Sequence, residues 1–182
     1  MRVKDKSRKP KKSNGRRIAE WTTQIAIFTV AVAAIGFWQT RNMVGTGENA
    51  PKLSLTDLDG NRLSLSDSDG IPVVLYFFAP WCSVCHATSH NINALSDAYT
   101  PDELKIFAVG LGWETSDDLR RFSEKHALKV PVLIGDKKTQ AAYRISSFPS
   151  VYILDREHRI SYRIVGYTTE LGLRLRTTLA AI

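Results

Sequence analysis

The chain has 182 residues, two cysteines and a formal net charge of +7. Nine basic residues fall within positions 1–17 against the single acid Asp5, so the rest of the chain sums to −1. The basicity is that of a tail, which excludes a fold whose whole surface attracts nucleic acid, and two cysteines three positions apart close too small a loop to staple a domain of this size.

Residues 1–20 read as a basic tail. From Trp21 to Thr40, "WTTQIAIFTVAVAAIGFWQT", twenty residues pass without a charge, bracketed by Glu20 and Arg41. As a helix this run is roughly 30 Å long, the thickness of a bilayer's hydrocarbon core. Trp21 and Trp38 sit near its ends, where indole rings favour the interface. A buried core helix and a cleavable signal peptide, with Ala31-Val32-Ala33 as its cleavage site, are the alternatives. Apolar residues continue through Trp38, which favours a retained anchor over 21–40. A basic arm can bind nucleic acid or anionic lipid. The span decides for lipid and places the N-terminus in the cytoplasm. Everything beyond Arg41 then lies across the membrane. In a bacterium that is the oxidising, periplasmic side of the inner membrane, where unprotected thiols become disulfides.

Residues 41–51 close a polar, glycine-containing stretch, "QTRNMVGTGENAP". It reads as a linker able to reach roughly 45 Å when fully extended. One domain, 52–182, follows. Leu53, Leu55 and Leu58 before Asp59-Gly60, with Leu63 and Leu65 after it, predict a hairpin. "IPVVLYFFA" is apolar without alternation, as in a central strand buried on both faces. A helical stretch carrying Ile92, Leu95, Ala98 and Tyr99 comes next, then a second buried strand at 104–111. Residues 115–126 open with a capping residue and acids and close with basic residues, as a helix does. A short strand at 129–135 and a helical turn at 139–145 precede a second hairpin, "SVYILD" and "RISYRIVG" around Arg156-Glu157-His158. The final helix sets Leu171, Leu175 and Leu179 on one face. This order predicts an α/β domain with a mixed central sheet, helices on both faces and an N-terminal β-hairpin.

Both cysteines lie in "APWCSVCH", residues 79–86, at the strand-to-helix junction. Cys82-x-x-Cys85 reads as a redox dithiol, and Cys82-x-x-Cys85-His86 as a haem attachment site. Haem would need a large apolar pocket and usually a sixth ligand, whereas this motif follows a buried strand and opens a helix. Structural zinc wants four ligands, and His126 and His158 stand at no recognisable spacing. Copper held by Cys82, Cys85 and His86, in a periplasmic carrier, remains the alternative to redox chemistry. At the start of a helix, unsatisfied amides and the dipole favour a Cys82 thiolate, which can attack a disulfide. Cys85, one turn along and more buried, can then resolve the mixed disulfide. No metal and no cofactor are expected.

Trp81-Cys82-Ser83-Val84-Cys85 at that junction and Phe148-Pro149 ahead of the second hairpin together resemble the thioredoxin superfamily, over the whole domain from about residue 51. The opening "TDLDGNRLSLSD" and the anchor are similar to the TlpA/ResA branch of membrane-anchored thiol–disulfide oxidoreductases. "CHATS" and "GYTTELGLRLRTTLA" resemble the suppressor-of-copper-sensitivity D (ScsD) proteins within it. The resemblance implies a thioredoxin-like fold, a cis-proline at Pro149 beside the dithiol, and substrate contacts from Trp81, Phe148 and Pro149. It also implies a protein disulfide as substrate and a membrane thiol electron donor as partner. A monomer is expected, with no nucleic acid bound.

The sequence departs from that family at three places. Tyr76 stands where thioredoxin has a buried acid, Thr88 where TlpA/ResA proteins often have one, and His90 where a proline commonly kinks the helix. The candidates for deprotonating Cys85 are therefore His86, His90 and Glu114. Val84, between the cysteines, offers neither charge nor donor, which points to a reducing or moderate potential.

Overall fold

In the computed structural model, which describes residues 14–181, the chain divides between Gln39 and Thr40 into two units. In the first, α1 (Asn14–Thr40) is one helix of 27 residues. Its Glu20–Thr40 portion is long and apolar enough to cross a membrane, with Ile25, Ile27, Phe28 and Val30 exposed. Of the basic tail expected over 1–20, residues 1–13 lie outside the described residues, and the backbone is helical from Asn14 onward.

The second unit is built on a five-stranded sheet in the order β5-β4-β3-β6-β7. Its strands are β3 (Val73–Phe78), β4 (Lys105–Gly110), β5 (Val132–Ile134), β6 (Ser150–Leu154) and β7 (Ile160–Val165). β3, β4 and β5 run parallel, while β6 and β7 are antiparallel to their neighbours. Every residue of β3 is buried, as its unalternating sequence requires of a strand covered on both sides. Val74, Tyr76 and Phe78 face one core with α2 (Ser83–Ala98), α3 (Ser116–Lys125) and α5 (Glu170–Ala180). Val73, Leu75 and Phe77 face a second core with Leu53, Leu65 and Tyr143, the last capping α4 (Lys137–Ala142). The expected N-terminal hairpin is β1 (Ser54–Thr56) and β2 (Arg62–Ser64). The Asp57 carboxylate accepts from the Asp59 and Asn61 amides, and Gly60 takes a φ of +89° in the turn.

One expectation needs correction. Residues 41–51 are not a free linker, because Met43 and Val44 are buried against the second core. The Val44 amide donates to the Tyr152 hydroxyl, which itself donates to the Tyr143 carbonyl, while the Tyr143 hydroxyl donates to the Pro51 carbonyl. Gly47 and Glu48 exchange backbone bonds with Ile160. The packed part of the domain therefore begins at Met43. Leu171, Leu175 and Leu179 share one face of α5 as expected, and that face is the exposed one, at 76%, 60% and 50%, while the helix buries Leu173, Thr177 and Ala180. α5 lies beside α2, where Asn91 donates to the Thr168 carbonyl and Tyr99 bonds Thr178.

α2 and α3 meet through rings. His86 Nδ1 is hydrogen-bonded to His126 Nε2, at the C-terminal cap of α3, and His90 lies edge-on to His126 with centroids 6.0 Å apart. Phe122 stacks on Phe78 at 4.4 Å and contacts His86 at 5.0 Å. Partial burial, then the neighbouring His86, Lys125 and His90, pull the His126 imidazole below its ordinary pKa.

The assignment of faces on α5 has a direct test in denaturant unfolding of the full chain in detergent. Leu173→Ala should cost about 2–5 kcal/mol, the usual range for emptying a buried leucine site. Leu171→Ala and Leu175→Ala should stay within about 0.5 kcal/mol, as exposed substitutions do. A Leu175→Ala cost equal to that of Leu173→Ala would reverse the assignment.

Candidate active site

The site forms where β3 leaves the sheet. Ala79 is still buried, and the chain turns through Pro80 and Trp81 so that the Cys82 amide donates to the Ala79 carbonyl at 3.1 Å. Cys82 is the N-cap of α2, with extended backbone, rather than the first helical residue. Its carbonyl accepts the first helical amides, from Cys85 and His86, and its sulfur accepts the Cys85 N–H at 3.2 Å. An N-cap side chain satisfies one of the helix's orphan donors, and here that side chain is a sulfur.

Cys82 and Cys85 are joined in a disulfide. The two sulfurs are unequal in access, since Cys82 is 6% exposed and Cys85 not at all. Beneath Cys85, at the position of the missing acid, the buried Tyr76 hydroxyl donates to the Cys85 carbonyl at 2.9 Å. Burial pushes this phenol far above its ordinary pKa, so it stays protonated and serves as a donor. Thr88 is also buried and spends its hydroxyl on the Val84 carbonyl. α2 runs unbroken through His90.

Trp81 is 68% exposed beside Cys82. Its indole N–H donates to the Gly112 carbonyl at 2.9 Å, and Gly112 adopts a φ of +62° at that close approach. The half-buried Phe148 meets Trp81 edge-on, centroids 5.7 Å apart, and the Phe148–Pro149 peptide is cis. The Pro149 carbonyl accepts from the Gly166 amide. The structure thus brings Trp81, Cys82, Cys85 and Phe148 together. Among the described residues, none of His86, His90 and Glu114 hydrogen-bonds to the Cys85 sulfur: the histidines gather on His126, and Glu114 is exposed on the loop after β4.

That loop holds what the sequence reading missed. Phe78 and Gly110 are paired in register at the ends of β3 and β4, so the turn after β3 and the loop after β4 leave the sheet at the same end, where the Leu111 amide donates to the Phe78 carbonyl. Trp113 and Asp118 join Trp81 and Glu114 along a groove there. The available signal was topological: in a parallel pair the segments following both strands share one end of the sheet, where α/β proteins place their sites. Among the described residues no group of three or more His, Cys, Asp or Glu side chains is placed to hold a metal ion.

Comparison with known proteins agrees with this geometry. Residues 46–163 match the AhpC/TSA family. The chain is 32% identical over 153 residues to the thiol-disulfide oxidoreductase ResA of Geobacillus kaustophilus, covering 80% of this chain and 87% of that protein. It is 34% identical over 126 residues to the thioredoxin-like protein YneN of Bacillus subtilis, covering 68% and 74%. The crystal structure of a thiol:disulfide interchange protein of the thioredoxin family from Chlorobium tepidum TLS superposes with a TM-score of 0.68 at 17% identity, covering 75% of this chain and 98% of that one. The strand-capped dithiol, the sheet order and these relatives together place the chain in the AhpC/TSA family, among the TlpA/ResA-like thiol–disulfide oxidoreductases.

Proposed function

We propose that this oxidoreductase is held in the bacterial inner membrane by one span, faces the periplasm and reduces disulfides in partner proteins, with Cys82 as nucleophile and Cys85 as resolving thiol. The observation that carries the division of labour is the inequality of the two sulfurs, Cys82 at the helix cap and Cys85 fully buried one turn on. In the reduced protein the Cys82 thiolate attacks one sulfur of the partner's disulfide, and the other sulfur leaves as a thiolate. Cys85, once deprotonated, attacks Cys82 Sγ in the mixed disulfide and releases the second partner thiol. Two electrons pass to the partner, and the protein is left as the Cys82–Cys85 disulfide. A thiol electron donor in the membrane returns those electrons by the reverse exchange. Trp81 and Phe148 form the apolar rim against which the partner segment lies, with Pro149 supporting that rim.

The anchoring half of the reading rests on Glu20–Thr40 and on the basic residues before it. The four-part division into tail, anchor, tether and domain follows, with the tether shortened to the residues ahead of Met43.

Mixed-disulfide trapping separates the two cysteines. Cys85→Ser should accumulate covalent complexes with partner proteins through Cys82, and Cys82→Ser should accumulate none. Equal trapping by the two variants, or trapping by neither, would remove the assignment.

Orientation is read by reporters fused to the C-terminus. One that works only after export should be active, and one that works only in the cytoplasm should be silent. The opposite pattern would overturn the topology.

A further inference from the structure

The groove beside the disulfide has a volume of about 400 Å³ and is lined by Pro80, Trp81, Gly112, Trp113, Glu114 and Asp118. Its two indoles have fixed polar edges. Trp81 Nε1 is spent on the Gly112 carbonyl and Trp113 Nε1 on the Gly135 carbonyl, both at 2.9 Å, so the rings offer apolar surface and π faces to an occupant. The two carboxylates differ. Asp118 accepts from the Glu114 and Thr115 amides and pairs with Arg121, which uses its lone pairs and offsets its charge. Glu114 is exposed, and its carboxylate has no partner among the described residues. The other rim of the site, Phe148, is uncharged. Glu114 therefore sets an available negative charge on the Trp113 side of the site.

From this we infer that the groove is a specificity pocket for a lysine or arginine close in sequence to the partner's reacting cysteine. The inference rests on the reading that Cys82 attacks the partner. Cys82 is 6% exposed and the neighbouring Trp81 is 68% exposed, so a partner chain that brings its sulfur to Cys82 can lie across the indole. An extended segment moves about 7–10 Å in two or three residues, enough to bring a flanking side chain from Cys82 onto the groove. Arginine and lysine match the lining in both parts: the aliphatic stem packs on indole surface while the cation meets a π face and a carboxylate. An acidic flanking residue meets the same carboxylate with like charge.

The test is single-turnover reduction of synthetic peptides by the full-length chain in detergent, reduced beforehand with dithiothreitol and freed of it. Three peptides share one intramolecular disulfide and differ only in carrying Arg, Gln or Glu two residues from the attacked cysteine. At low salt the rate constants should fall in the order Arg, Gln, Glu, spanning about tenfold, the size of a cation–π contact with a nearby carboxylate. The quantity read is the Arg-to-Glu ratio within each protein, so a general loss of rate in a variant cancels. Glu114→Gln should bring that ratio near unity, and Glu114→Lys should invert it. Equal rates for the three peptides with the unmodified protein, or an Arg preference that survives Glu114→Lys, would overturn the inference. Failure to reduce even the Gln peptide would instead contradict the oxidoreductase reading, and the pocket would fall with it.

Discussion

The architecture turns on a handover. β3 is buried on both faces and ends at Phe78, and α2 starts at Ser83, so a short turn has to deliver a residue that caps the helix. Most proteins place an oxygen there, and this one places the sulfur of Cys82, which accepts the Cys85 amide. Helix N-termini favour negative charge because their first amides lack partners. A sulfur held at that point is poised to be a thiolate once the disulfide is opened. The same geometry carries Cys85 one turn deeper, into the core that Tyr76, Phe78 and Ile92 complete. The chemical inequality of two identical side chains is a consequence of strand burial.

Tyr76 changes what lies under that dithiol. A carboxylate at this position would add a charge in a buried place and a base near Cys85. The phenol adds neither: burial keeps it protonated, and it holds the Cys85 carbonyl by a neutral hydrogen bond. The charged and titratable groups of the site lie instead at its periphery, in the His86–His126 pair on one side and in Glu114 on the other. Trp81 and Phe148 meet edge-on as an apolar rim of the site.

Much of this was legible in the sequence, for physical reasons that also explain the misses. An unalternating apolar run such as Val73–Phe78 has few places to go other than the middle of a sheet. A cysteine pair directly after such a run lands on a helix cap. Leu171, Leu175 and Leu179 share one face of α5 as their spacing predicts, but periodicity does not say whether that face is buried. The face that packs inward carries Leu173, Thr177 and Ala180. Met43 and Val44 were missed because two apolar residues make no pattern, although they are enough to fasten 43–50 to the domain. Trp113 and His126 acquire meaning only when separate loops and helix ends are brought together, which is the information a linear reading lacks.

The chemistry of the site depends on the sulfur at the helix cap. Its most direct measurement is the pH titration of thiolate formation in the reduced full-length chain, with each cysteine followed separately by alkylation rate. Cys82 should ionise well below the free-cysteine value of about 8.5, and Cys85 above it. A Cys82 that ionises at or above that value, or a Cys85 that ionises first, would contradict the central claim.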